Sequence, residues 1–372
     1  MATTPILVAI PLFTFAGYLL SESGAPRRII RLSDALLGWL PGGLSVIALV
    51  ACAAFTALTG ATGLTIIALG GILLPAMLKG KYPERFSLGL LTTSGTLGLL
   101  FPPSLPLIVY AIVAKVRIDQ LFLAGILPGA LLVVLLSGFS VNKAIGTQVP
   151  RTRFRGGELL GALREAIWEI PLPIVVLGGI YSGRFAVSEA AAITAAYVLL
   201  VELVVYRDIR WRDLPGIMSK SMVLVGGILI ILGAAMGLTN YLVDAEVPME
   251  MLEFFKAHIE SPVLFLIALN LFLLAVGCTM GIFSALTVVV PLLAPVAQAY
   301  EIHPIHLGII FLTNLEIGAS IPPLGINLFI ASMRFERPVL SLYWASLPFI
   351  GMLLLALGII TYWPWLSLVL VQ

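Results

Sequence analysis

Hydroxyl and amide side chains gather around two proline pairs in an otherwise apolar chain. The first stretch holds Thr92, Thr93, Ser94, Gly95, Thr96 and Gly98 before Pro102-Pro103, with Ser104 just after. The second holds Thr313, Asn314, Glu316, Gly318 and Ser320 before Pro322-Pro323, with Gly325 and Asn327 after. Hydroxyl, amide and carbonyl oxygens are hard ligands suited to an alkali cation. Proline removes a backbone donor and interrupts a helix. The carbonyls bared at one half-helix end suit a dehydrated cation; the amides and positive dipole at the other suit a carboxylate. The chemistry implied is coordination of a small cation and a small anion. For any one Gly, Ser or Thr, close helix packing is an equally good reading; the repeated cluster favours coordination.

Two further Gly- and Thr-rich stretches supply facing halves for such sites. Thr59, Gly60 and Thr62 lie in a stretch running on to Pro75, and Gly277, Thr279 and Gly281 lie in one running on to Pro291 and Pro295. Glycine permits a turn and leaves amides uncovered, so each stretch reads as the tip of a re-entrant hairpin facing a broken helix. Ionisable groups inside a membrane are functional candidates by default. Glu316 either bears on a cation site or pairs with a polar neighbour, and the sequence leaves both open. Glu189 reads as an N-terminal helix charge, and Glu202 as a group that snorkels or pairs with the basic loop after it. Catalysis has little support. His258, His303 and His306 read as loop or interfacial residues without metal-site spacing, and neither a P-loop nor a nucleophile elbow is present.

These residues need a membrane scaffold. The 372-residue chain is 60% hydrophobic and 11% charged, with mean hydropathy +1.09, against about 25% charged for soluble domains. Its apolar segments are continuous, as in membrane helices rather than outer-membrane strands. The net charge of +2 carries no basic stripe, so nucleic acid is not a partner, and Cys52 and Cys278 suggest no disulfide framework. Spans are expected near 4–20, 43–58, 87–114 (broken), 119–141, 169–183, 186–206, 221–243, 263–277, 307–333 (broken) and 340–366. Segments around Arg27, Arg28, Arg31 and Asp34, and over 247–260, read as interfacial amphipathic helices. No basic region precedes a small-residue cleavage site, so a signal peptide is not expected.

The proline pairs belong to a longer repeat. Thr93 and Thr313 stand 220 residues apart, as do Pro75 and Pro295, Arg117 and Arg337, and Pro128 and Pro348. This divides the chain into a first repeat over 1–141, a basic connecting region over 142–220 and a second repeat over 221–372. The hairpins fall near 58–78 and 277–299, the broken helices near 87–114 and 307–333. Parallel and inverted arrangements both stay open. The span count gives parallel repeats if 169–183 and 186–206 both cross, and inverted ones if 165–183 lies partly in the interface. The positive-inside rule places the loops 142–164 and 207–220 together in the cytoplasm.

On these motifs the chain resembles a known family. Ala9-Ile10-Pro11-Leu12-Phe13, Gly95 through Ser104, Leu121 through Gly129, Ser188-Glu189-Ala190-Ala191-Ala192 and Asn314 through Pro323 are together similar to the large membrane (M) subunit of TRAP transporters. The resemblance covers essentially the whole chain. It implies an all-α polytopic membrane protein of the ion-transporter superfamily, with two inverted repeats, each carrying a re-entrant hairpin and a Pro-Pro-broken helix, and an elevator-type moving domain. It also implies ATP-independent, sodium-coupled import of an organic acid such as a C4-dicarboxylate or sugar acid. Sodium ions would be held at the backbone of the two broken helices, with no other cofactor. The implied partners are a small four-helix membrane subunit, a periplasmic binding protein that delivers the anion, and the lipid bilayer. The implied location is a bacterial or archaeal cytoplasmic membrane.

Three departures from the family pattern stand out. An additional N-terminal helical region usual in the family is absent before Ala9, which points to a truncated start. Gly281 stands where an acidic residue is usual, with altered affinity or specificity expected. Thr59-Gly60-Ala61-Thr62 replaces a serine-rich tip. A stand-alone anion:sodium symporter of the same superfamily is the nearby alternative. An integral-membrane enzyme would need clustered Asp, His or Arg near an interface, which the sequence lacks.

Overall fold

The computed structural model describes residues 5–146 and 156–371; Arg151, Arg153 and Arg155 of the basic loop lie outside them. Every regular element among the described residues is helical. The first repeat runs α1 (Ala9–Glu22), α2 (Ala25–Leu37), α3 (Gly43–Thr59), α4 (Thr62–Lys79), α5 (Glu84–Ser94), α6 (Leu105–Ala114) and α7 (Ile118–Gly146). Then come α8 (Gly156–Glu165), α9 (Pro171–Tyr181) and α10 (Val187–Leu200), the last extended by a π-turn over Val201–Val205. The second repeat runs α11 (Leu214–Asp244), α12 (Val247–His258), α13 (Pro262–Thr279), α14 (Ile282–Ala299), α15 (Pro304–Gly318), α16 (Ile326–Phe335) and α17 (Val339–Tyr362), before a short α18 (Trp365–Leu368). Shifted by 220 residues, α2 to α7 fall on α12 to α17, and α1 falls within α11.

The segments 43–58 and 263–277 are not separate spans, as expected from sequence, but the first arms of the hairpins. Gly60 breaks the first hairpin in the left-handed region, at φ 65°. Both ends of that hairpin lie together, since Gly43, Leu44, Lys79 and Tyr82 line one cavity. The second closes its open end in the same way: Tyr300 Oη donates to the Ile259 carbonyl at 2.6 Å and stacks on Phe265. A hairpin enters and leaves on one side, so neither counts as a crossing.

That correction settles the orientation of the repeats. The start of α5 meets the start of α17, with Arg337 paired to Glu84 at 2.8 Å. The start of α15, equivalent to that of α5, instead meets α6, where Tyr110 Oη donates to the Pro304 carbonyl at 2.7 Å. Equivalent points therefore sit at opposite ends of the molecule, and the repeats are inverted with α9 and α10 both crossing. Packing follows the same exchange: α4 lies on α16, and α14 on α6.

One end of the molecule is basic and tightly tied. α2 turns 75° from α1 and lays Ile29 and Ile30 on the core, with its arginines on the other face. Arg28 is the hub. It pairs with Glu169, with Glu202 at 3.1 Å and with Asp208 at 2.6 Å, and lies 3.7 Å over the Tyr206 ring. Glu202 thus pairs with α2 rather than with the basic loop after it. Arg31 pairs with Glu165, and Lys220 with Glu22 at 2.7 Å. Glu189 does cap its helix, accepting from Ala186 N at 2.8 Å. His306 is buried within α15, not in a loop.

Candidate functional site

The two broken helices approach each other at their breaks, where Thr96 lies beside Glu316. α5 stops at Ser94, where Gly95 and the back-bonding hydroxyls of Thr93 and Ser94 weaken the helix. The chain then runs in tight turns, with Leu97 N to Ser94 O at 3.3 Å, Leu99 N to Thr96 O at 2.9 Å and Phe101 N to Gly98 O at 3.1 Å. α15 continues through Leu315-Glu316-Ile317 and stops at Gly318. Both proline pairs, Pro102-Pro103 and Pro322-Pro323, are joined by cis peptide bonds.

Glycines set how closely each hairpin approaches its own broken helix. A Cβ on Gly98 would stand 2.3 Å from the Ala53 carbonyl oxygen and 2.5 Å from Ala57 N on α3. At the equivalent point a Cβ on Gly318 would stand 2.7 Å from the Gly277 backbone on α13. A Cβ on Gly95 would meet Ile66 of α4 at 2.7 Å. Gly325 turns the chain into α16, against the Ile321 carbonyl. The first hairpin also reaches the other repeat, for Thr62 Oγ1 donates to Asn327 Oδ1 at 2.9 Å.

Thr96 and Glu316 occupy the same position in the two repeats, and they face each other. A contact between equivalent residues marks the axis relating the two halves. Glu316 is 0% exposed, and neither carboxylate oxygen accepts a hydrogen bond of ordinary geometry, because the Thr96 hydroxyl beside it donates to the Thr93 carbonyl at 3.0 Å instead. A buried carboxylate left in that state costs several kcal/mol, so the position requires a proton or a bound cation. Ser104 Oγ, Ser320 Oγ, Asn314 Oδ1 and Asn327 Nδ2 are likewise buried and unpartnered. Unmet polar atoms thus line both breaks, where a ligand would meet them. Thr93, Thr313 and Thr59 donate back to their own helices, which leaves hydroxyl lone pairs to accept or coordinate. Among the described residues no group of three His, Cys, Asp or Glu could hold a transition metal.

Ser94, Gly95, Thr96, Gly98, Pro102, Pro103 and Ser104 are buried in the first break, and Thr313, Asn314, Glu316, Gly318 and Asn327 in the second, with Thr96 beside Glu316 joining the two sets. Thr59 and Gly60 are buried too, Gly60 against Leu105. Thr279 belongs to neither set. It is exposed, and its hydroxyl bonds to the Ala275 and Val276 carbonyls. Gly281 has open space around it, with Ile326 no nearer than 4.0 Å, while Pro323 and Leu324 are exposed. The missed residues are Asn270 and Thr361. Asn270 Oδ1 accepts from Asn314 Nδ2 at 2.6 Å, and Asn270 Nδ2 donates to Thr361 Oγ1 at 3.2 Å. An amide inside the apolar α13 was the available signal.

Inverted repeats, each setting a hairpin against an interrupted helix, define a secondary transporter. The chain belongs to the family described as the tripartite ATP-independent periplasmic transporter, DctM component, whose model matches residues 2–366. It is 37% identical over 369 residues to the C4-dicarboxylate TRAP transporter large permease protein of Pseudomonas aeruginosa, covering 98% of this chain and 86% of that one. Against the ectoine large permease of Halomonas elongata identity is 33%, with coverage of 97% and 85%. Against the sialic acid large permease of Vibrio cholerae it is 30%, with 98% and 86%. The solved YdaH transporter of Alcanivorax borkumensis shares the fold, with a TM-score of 0.63 at 16% identity, over 97% of this chain and 85% of that one. The protein is a transporter permease subunit, not an enzyme, and the family implies work with a small membrane subunit and a periplasmic binding protein.

Proposed function

We propose that this large permease subunit imports an organic acid in symport with sodium, across a bacterial or archaeal cytoplasmic membrane. The observation that carries the reading is Glu316: a fully buried carboxylate with no hydrogen bond of ordinary geometry, beside Thr96 where the breaks of two helices rich in oxygen ligands meet. Sodium held by Glu316, Asn314 and the carbonyls of the two breaks would neutralise that charge. Amides after Pro102-Pro103 and Pro322-Pro323 then remain for the substrate carboxylate. A C4-dicarboxylate or sugar acid fits this pairing of charges, and the names of the dicarboxylate and sialic acid relatives agree with it. The positive-inside rule puts the basic end in the cytoplasm, so the tip of the second hairpin, with Thr279 exposed, enters from the far side. There a binding protein would deliver the anion to this subunit and its small four-helix partner.

The test is uptake of succinate and of sialic acid into proteoliposomes holding this chain and its small subunit, with binding protein outside. Uptake is expected to need an inward sodium gradient and to saturate in binding protein. Transport unchanged in sodium-free buffer would overturn the coupling. Transport without binding protein would instead assign a stand-alone symporter.

A further inference from the structure

A cavity of about 550 Å³ opens at the basic end between α2 and the outer ends of α3 and α4. Its rim carries Arg27 and Arg31 from α2 and Lys79 and Lys81 from the end of α4, against Asp34 as the one carboxylate among the lining residues. Arg31 is already paired with Glu165. Arg27, Lys79 and Lys81 are exposed and pair with no carboxylate among the described residues. The floor is different in character: Ile30, Leu44, Ile72 and Ala76 line it. α2 is an amphipathic helix turned 75° from the first span, the attitude of a helix lying in the bilayer's headgroup layer.

We propose that this cavity is a binding site for an anionic phospholipid of the leaflet at the basic end. The phosphate would sit among Arg27, Lys79 and Lys81, and an acyl chain would lie on Ile30, Leu44 and Ile72. Cation clusters beside an apolar cleft at the cytoplasmic end of membrane helices have this recognition chemistry. A soluble anion would use the rim and leave the apolar floor wet; a lipid uses both. Lys81 owes its position to backbone geometry. It lies in the left-handed region at φ 63°, where Lys81 N bonds to Leu78 O at 3.0 Å and ends α4. A lipid held there would join the amphipathic helix to the open end of the first hairpin.

The test reads lipid retained by the full chain, purified with its small subunit from nanodiscs mixing phosphatidylcholine and phosphatidylglycerol. The wild type is expected to retain phosphatidylglycerol preferentially. Lys79→Gln with Lys81→Gln should lower that preference on the order of 10-fold, from the loss of two surface charges. Lys79→Arg with Lys81→Arg should keep it, and Arg210→Gln, an exposed charge outside the cavity, should leave it unchanged. Ile72→Trp, which fills the floor and removes no charge, should also reduce retention. Undiminished preference in the double Gln variant would overturn the proposal. So would inorganic phosphate displacing the lipid at equal phosphate concentration, which would assign the rim to a free anion.

Discussion

In the first repeat the broken helix leaves the α-helical pattern at Gly95, whereas its counterpart holds it to Gly318, about one turn further. The cause is local: Gly95-Thr96 weakens a helix where Leu315-Glu316 sustains one. At the point where the two meet, the first repeat offers a hydroxyl and the second a carboxyl. The hairpins differ in the same direction. Gly60 is buried against Leu105, while Thr279 and Gly281 stand clear of the second break. So do the interfacial helices. Arg28 ties α2 to three carboxylates, and at the equivalent position α12 has Pro248. Duplication preserved the path of the chain, while the two copies diverged in charge and closure.

The largest expected effect tests the anchored helix. Arg28→Met leaves Glu202, with no side-chain exposure, uncompensated, and should cost about 3–5 kcal/mol of stability. Chemical denaturation in detergent would show it; Pro248→Ala on α12 serves as the unanchored control and should cost far less. Next comes the unequal pair at the axis. Glu316→Gln should lower uptake on the order of 100-fold, matching loss of one fully engaged charged contact of about 2.7 kcal/mol. Its melting temperature in sodium-free buffer should hold or rise, because the amide needs neither a proton nor a cation to be buried. A variant with wild-type uptake would remove Glu316 from the ion site.

Smaller effects probe what the two copies still share. Gly98→Ala and Gly318→Ala each drive a methyl into hairpin backbone and should destabilise by about 1–3 kcal/mol. Gly98→Ala should be the worse, since its contacts are shorter; equal melting curves for wild type and both variants would show the hairpins to be looser than drawn. Thr62→Ala deletes the donor to Asn327 Oδ1 and should cost about 1 kcal/mol. Ile282→Ala, at the matching place in the exposed second tip, should cost no hydrogen bond, so the two melting shifts should differ.

The repeat, the breaks and the polar clusters were legible in sequence because proline and glycine leave local marks. The sense of the repeat was not. α13 is 18 residues long and as apolar as a span, so counting apolar runs turned a hairpin arm into a crossing and spoiled the parity. Contacts such as Glu84 with Arg337 supply what composition lacks. Nor could sequence give the partners of Arg28, which lie 141 to 180 residues away. Thr279 carried the expected residue type at the expected spacing, yet a threonine near a helix end can satisfy its hydroxyl on its own carbonyls.

The bond from Thr62 to Asn327 spans 265 residues, which bears on how the protein is made. When the first hairpin leaves the ribosome, the amide that receives its tip hydroxyl has not been synthesised. The same is true of Arg337, the partner of Glu84. The first half cannot complete these contacts until the second has been made, and the last helices to insert are the ones that close the first.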